Sequence, residues 1–420
     1  MWQNLLQIWH SRDLRKSLLF VLMMLVLFRV VAHIPVPGVD PRDLAQLFRS
    51  NQLFGLLNIF SGGTIENFSL VALGVAPYIT ASIIFQLLAM VIPRLEEIQK
   101  EGEAGQRRIN QYTRLATVPL AILQGYGLIR LLGQSSQVFL DSFSPFRLLT
   151  TLAALTAGTV FLMWIGELIS ERKVGNGISL LIFAGIIAGL PNFVRQFAVS
   201  FDASQVSTIV LFALITVVTI VAVVLITEGQ RNIPVAHARR GALGASQTTL
   251  PIRVNIGGVI PIIFAISILL FPPVLGQFFQ EARTSWVANA AVWITDLFSN
   301  QLFYGLAYFV LVFAFTYFYT AVVFQPDKIA ENLQKQSAFV PGIRPGKPTA
   351  EYLQTVVRRI NFGGAIFLGA IAILPLLVQQ VTGSQALVIG GTSLLIVVNV
   401  ITDSVKQIES QLVMREYEVY

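Results

Sequence analysis

Gly74-Val75-Ala76-Pro77-Tyr78-Ile79 and Gly258-Val259-Ile260-Pro261-Ile262-Ile263 share the pattern G-V-x-P-x-I, and each lies at or near the start of an apolar run. A second echo, Gly177-Ile178-Ser179-Leu180-Leu181-Ile182 and Gly391-Thr392-Ser393-Leu394-Leu395-Ile396, shares G-x-S-L-L-I. Runs long enough to cross a hydrocarbon core of ~30 Å at ~1.5 Å per residue are read at 18–36, 70–92, 115–133, 148–169, 178–194, 206–226, 256–276, 302–324, 361–381 and 385–402. The first echo therefore pairs the second span with the seventh, and the other pairs the fifth with the tenth. Six-residue matches among Gly, Val, Ile, Leu and Ser arise easily by chance in apolar sequence, so the consistent n to n+5 pairing carries the reading. The two offsets differ by 30 residues, which a longer 325–359 loop absorbs. The prediction is an all-α membrane protein: ten transmembrane helices in a pseudo-symmetric 5+5 bundle around a central axis, residues 1–199 forming one half and 200–420 the other.

Composition supports this. The 420 residues are 55% hydrophobic and only 12% charged, too few charges to cover a soluble surface of that size. The chain has no Cys, which removes disulfides, thiolate zinc sites, iron–sulfur clusters and cysteine nucleophiles, and His10, His33 and His237 lie too far apart for a metal site. A net charge of +7 raises the question of nucleic acid, but the charges are distributed by topology. The N-terminus, 93–114, 167–177, 227–253, 325–359 and the C-terminus hold 22 of the 29 Lys and Arg; the alternate loops hold six, and Arg29 lies inside the first span. By the positive-inside rule both termini are expected on the cytoplasmic side. Arg12, Arg15 and Lys16 before an apolar run imitate a signal peptide, but no small-x-small cleavage site follows, so the segment reads as a retained helix.

The spans carry almost no charge at mid-helix. Glu167 lies at a helix end beside Glu171, Arg172 and Lys173, and Arg29 either snorkels to the outer interface or bridges the halves. A path without ionisable groups suits a gated pore lined by aliphatic side chains, which excludes ions by dewetting. Residues 37–69 are too apolar for a free loop and too short to span, and they include Leu57-Asn58-Ile59-Phe60-Ser61-Gly62-Gly63-Thr64-Ile65-Glu66-Asn67. The stretch reads as a re-entrant short helix buried in protein, a movable piece filling the pore, with an interfacial amphipathic helix as the other reading. Two basic cytoplasmic insertions, 227–255 with Arg239 and Arg240 and 325–360 with Val340-Pro341-Gly342-Ile343-Arg344-Pro345-Gly346-Lys347-Pro348, are read as loops. Such loops enforce topology and bind anionic lipid. The Pro- and Gly-rich tip presenting Arg344 is in addition pre-ordered, which suits docking of a large anionic partner such as RNA.

With these stretches, and with Ile34-Pro35-Val36-Pro37-Gly38, Lys100-Glu101-Gly102-Glu103-Ala104-Gly105 and Val254-Asn255-Ile256-Gly257, the chain resembles along nearly its whole length the SecY family, channel subunits of bacterial protein export. The resemblance implies a cell-membrane conduit that threads unfolded secretory polypeptides outward and releases apolar segments sideways into lipid. It implies a pore ring at Val75, Ile79, Ile178, Ile182, Ile263 and Ile396, a plug at 57–67, and a lateral gate between the second and seventh spans. Arg239, Arg240, Arg344 and Lys347 would engage the ribosome or the SecA motor, and SecE and SecG subunits would accompany the chain. The i, i+4 spacing of Val75 with Ile79 and of Ile178 with Ile182 puts each pair on one helix face, and stiff β-branched side chains offer a passing peptide no fixed hydrogen bonds. The 227–255 insertion departs from the family pattern in Gly241-Ala242-Leu243-Gly244-Ala245, where further basic residues often stand.

Two other classes stand beside the channel. A secondary transporter of a hydrophobic solute would share the bundle but work without a partner. An intramembrane enzyme would need a catalytic constellation, and the chain has no H-E-x-x-H, no G-x-S-x-G, no P-loop and no paired membrane aspartates. No cofactor is implied.

Overall fold

The computed structural model describes residues 11–36, 64–65, 68–135, 144–199, 206–237, 248–280, 284–382 and 386–418. Helix α1 (Arg12–Ala32) starts where the Ser11 hydroxyl accepts the Leu14 N–H at 3.4 Å. After it the chain turns out at Ile34–Val36, and these residues pair with the returning strand-like stretch: Val36 N–H donates to the Phe68 carbonyl and Leu70 N–H to that of Ile34. The 37–67 excursion thus leaves and re-enters at one place.

Helices α2 (Ala76–Val91) and α3 (Pro93–Lys100) meet at a 103° bend. Pro93 has no N–H to continue the helical ladder, so the chain turns there. There follow α4 (Glu103–Ser135), α5 (Pro145–Glu171), α6 (Gly177–Val199) and α7 (Val206–Glu228). Strands β1 (Gln230–His237) and β2 (Thr248–Arg253) precede α8 (Ile260–Phe279), α9 (Ser285–Ser299), α10 (Gln301–Val323) and α11 (Pro326–Lys335). The two-residue β3 (Ala338–Phe339), α12 (Lys347–Thr382) and α13 (Ala386–Glu418) complete the order. The ten ranges read as spans fall on α1, α2, α4 to α8, α10, α12 and α13. Among the described residues, α5, α10 and α12 are each long and apolar enough to cross a membrane alone, and α2 with α3 passes as a bent pair. Exposed Val210, Leu214, Val217, Val221 and Leu225 on α7 mark a face turned to lipid.

The echoed motif becomes an echoed backbone. Gly74 and Gly258 both adopt left-handed φ, 57° and 59°, Val75 and Val259 cap the helices, and Pro77 and Pro261 sit in the first turns. Gly takes that φ at the least steric cost, though Lys173 and Ser337 adopt it elsewhere in the chain, and Pro is pre-set for a helix start. The span read from residue 70 therefore begins as helix only at Ala76. Echoed helices also meet: α2 packs on α8, and α6 on α13.

The two insertions read as loops are corrected by the structure. Residues 230–237 and 248–253 form an antiparallel strand pair with Ile233 opposite Leu250, and β3 joins its other edge, Ala236 opposite Phe339, giving the order β2-β1-β3. Residues 326–335 are helical, and α12 begins at Lys347, well before the apolar run at 361. Ile233, Ile252, Val340, Leu353, Val356 and Val357 bury one another as a small separate core. The insertions are therefore one packed unit, and α9, in a stretch read as a connection between spans, is a further helix.

Candidate functional site

The six aliphatic positions proposed for a ring come from four helices. Val75 caps α2 and Ile79 lies one turn on; Ile178 and Ile182 are on α6, Ile263 on α8 and Ile396 on α13. Val75, Ile79, Ile182, Ile263 and Ile396 are buried in one apolar cluster, and half-buried Ile178 packs against it. None of these six side chains offers a hydrogen bond, so the cluster they belong to presents only aliphatic surface at these positions.

Glycines set the α6 side. A Cβ at Gly177 would lie 1.8 Å from the Gly166 carbonyl oxygen, and one at Gly166 would lie 2.5 Å from Ile178 Cδ1. The Ser170 hydroxyl ties this crossing, accepting the Gly177 N–H and donating to the Gly166 carbonyl, both at 2.9 Å. Gly177→Ala is expected to destabilise the purified complex by about 3 kcal/mol, since backbone must move. Gly166→Ala is expected to cost about 1 kcal/mol or less, since a flexible Ile178 tip yields and helix propensity improves. Thermal unfolding of the two variants checks the contrast, and equal losses would show that the close approach is not rigid.

The neighbours of the α2–α8 seam differ on its two sides. Gln124 Nε2 on α4 donates to Thr80 Oγ1 on α2 at 3.4 Å. On the other side Phe264 stands edge-on to Phe315 and Tyr319 of α10, at 6.0 and 6.3 Å between centroids. Helix α8 also rests on α4.

Of the segment read as a plug, Leu57 to Gly63, Glu66 and Asn67 lie outside the described residues. Thr64 and Ile65 are buried at its return, where the Ser69 N–H donates to the Thr64 carbonyl; Ile65 and Phe68 pack with Leu73, Leu128, Ile129 and Leu155. Arg239 and Arg240 likewise lie outside the described residues. Arg344 is exposed on a turn whose Gly342 and Gly346 hold φ of 84° and 96°, and the Thr349 hydroxyl donates to the Arg344 carbonyl at 2.8 Å. Val340 anchors the turn in the small core, and Lys347, read as part of the tip, is the first residue of α12. Arg29 lines a groove with Leu22, Val26 and Ala184, all from the first half of the chain, and its guanidinium lies 5.9 Å from the Phe28 ring centroid.

A model of the SecY family matches residues 69–405. The chain belongs to the SecY family. It is 44% identical to the protein translocase subunit SecY of Streptomyces galbus, over 97% of each chain. The identity to that of Pseudomonas aeruginosa is 45%, over 97% of this chain and 92% of the relative. Two solved structures, described as a protein conducting channel and as Sec61 in the canine ribosome–channel complex, superpose with TM-scores of 0.65 and 0.62 at 17% and 18% identity, each covering 93% of this chain and 91% of the other. The fold is that of the SecY family channel.

Polar residues beside Ile396 in this SecY-family chain carry no signal in the sequence. Ser393 and Asn399, three residues either side of Ile396 on α13, are buried, and Asn399 Oδ1 accepts the Thr227 hydroxyl at 2.8 Å. Just beyond the tenth span, Lys406 pairs with Glu228 at 2.8 Å, and Asp403 Oδ2 lies 3.2 Å from where a Cβ on Gly258 would stand. Burial pushes the Asp403 carboxyl above its usual range, opposed by Arg253 and Lys406 and reinforced by Glu228. These contacts join the ends of α7 and β2 and the middle of α13 to the turn before α8. An isolated Asn or Asp within a helix carries no periodic signal of its own.

Proposed function

We propose that this chain is the channel through which unfolded secretory polypeptides cross the bacterial cell membrane, apolar segments leaving sideways between α2 and α8. One observation carries the reading: six aliphatic residues, spread over more than three hundred positions of sequence and four helices, close into one cluster. They act as a gasket, parting around a peptide and dewetting behind it. Residues 1–199 and 200–420 are the two halves that move apart, 57–67 is the plug beyond the ring, and both termini are cytoplasmic. A SecE-like helix clamps the halves, with SecG beside them. Energy comes from partners, the SecA ATPase or a ribosome whose RNA meets Arg239, Arg240, Arg344 and Lys347. The names of the bacterial relatives, translocase subunits, support this reading over a secondary transporter of a hydrophobic solute.

The absence of Cys supplies the test. A secretory polypeptide stalled midway and carrying one Cys is expected to form a disulfide with Cys placed at Ile182 or Ile263, and not with Cys at lipid-facing Val217. Disulfides at Val217 alone, or saturable uptake of a small solute without any motor, would sink the proposal.

A further inference from the structure

Helix α9 joins the outer end of α8 to the start of α10. One side packs on α8: Ala291 is buried, and Thr295 Oγ1 accepts from Gln280 Nε2 at 3.2 Å. A Cβ on Gly276 of α8 would lie 2.6 Å from that same Thr295 oxygen, and Phe298 stands edge-on to Phe303 of α10 at 5.3 Å. The other side presents Trp286 and Trp293, seven residues apart and so on one face, 72% and 64% exposed. Asn289, Ala290 and Asp296 share that exposed side, and Asp296 is the sole formal charge in the fifteen residues.

A face turned to bulk water would carry more charge, and one turned to acyl chains would not carry Asn289 and Asp296. Two indoles and Val292, 44% exposed, among small and polar residues match the headgroup layer, where an amphipathic ring keeps its body in apolar surroundings and its N–H wet. The surface is also continuous with lipid-facing surface: directly after α9, Leu302 (75% exposed), Leu306 and Val310 run along one side of α10.

We propose that α9 is a membrane-surface anchor: Trp286 and Trp293 lie among phospholipid headgroups of the extracytoplasmic leaflet and hold the outer end of α8 at that depth. Between this end and Ile263, α8 contains Pro272 and Pro273. Neither supplies an N–H to the preceding turn, so bending concentrates there. With its outer end held by the bilayer, α8 moves its ring-bearing segment by flexing at the prolines.

The anchor rests on the membrane topology of the proposed function, and the two fail separately. The complex, reconstituted in phosphatidylcholine–phosphatidylglycerol vesicles, is prepared as single-Trp chains retaining Trp286 or Trp293, the other four Trp being replaced by Phe. Phospholipids brominated near the headgroup end of the chain are expected to quench each indole at least about two-fold more than those brominated near the chain terminus. Iodide is expected to quench weakly. Strong iodide quenching without bromolipid quenching would place the face in water, and protection from both would show that a protein covers it; either overturns the anchor. If a single-Trp chain does not assemble, W286F and W293F in the otherwise native chain are each expected to remove part of the headgroup-quenched fluorescence. A reporter inserted at 281–283 that reads cytoplasmic would overturn the topology while leaving the depth measurement intact.

Discussion

Ile396→Asn is expected to raise export of polypeptides with defective signal sequences by about five-fold or more, and to let ions leak once residues 57–67 are also deleted. Ile396 is fully buried in the apolar cluster proposed above as the gasket. An amide there lies within one helical turn of Ser393 and Asn399, which leave its hydrogen-bonding only partly met among the aliphatic neighbours, so it holds water where the surroundings were dry. Placing a polar group in apolar surroundings without a partner costs roughly 1–3 kcal/mol, comparable with the few kcal/mol that separate two conformers of one protein. A destabilisation of about 1 kcal/mol in the shut state alone shifts the open population about five-fold. Ile401→Asn is the control: five residues along α13 it lies about 140° around the helix and is 46% exposed, so its amide meets lipid or a neighbouring helix rather than the ring. Equal ion conductance and equal signal stringency of the two variants in the same vesicles would remove Ile396 from the constriction.

Arg344→Glu is expected to lower motor-driven export at least tenfold, a loss of about 1.4 kcal/mol in the productive complex, while the unfolding temperature stays where it was. The side chain is exposed, and the turn beneath it is held by other groups: Gly342 and Gly346 in left-handed φ, the Thr349 hydroxyl on the Arg344 carbonyl, and Val340 in the small core. Reversing the charge therefore replaces an attraction by a repulsion at a rigid mount without disturbing the mount. Arg344→Lys keeps the charge and loses the planar fork, and is expected to fall between the two. Normal motor binding and normal ATP-driven export by Arg344→Glu would leave this residue with a topological role only.

Ten spans, the pairing of second with seventh and fifth with tenth, and the family could be read from the order of residues because each rests on a local property. A span is a length of apolar chain, and a left-handed turn before a helix favours Gly, so Gly74 and Gly258 announce the same backbone twice. The ring candidates sat inside the same echoes for the same reason. Packing across the chain settled the rest. The two-residue β3 exists only because β1 offers it an edge, so Ala338-Phe339 carries no strand signal of its own. The first turns of α12, before the apolar run at 361, carry no span signal because a span is continuous apolar chain. Outside the membrane Leu353, Val356 and Val357 on one face suffice to bury a helix against the sheet. Helix α9 escaped for the converse reason: it covers α8 on one side, and its exposed indoles fit a surface rather than a core. Asn399 finds Thr227 across 172 residues of chain. A hydrogen bond between side chains that far apart leaves no periodic mark in either stretch; it appears only when α7 and α13 lie side by side.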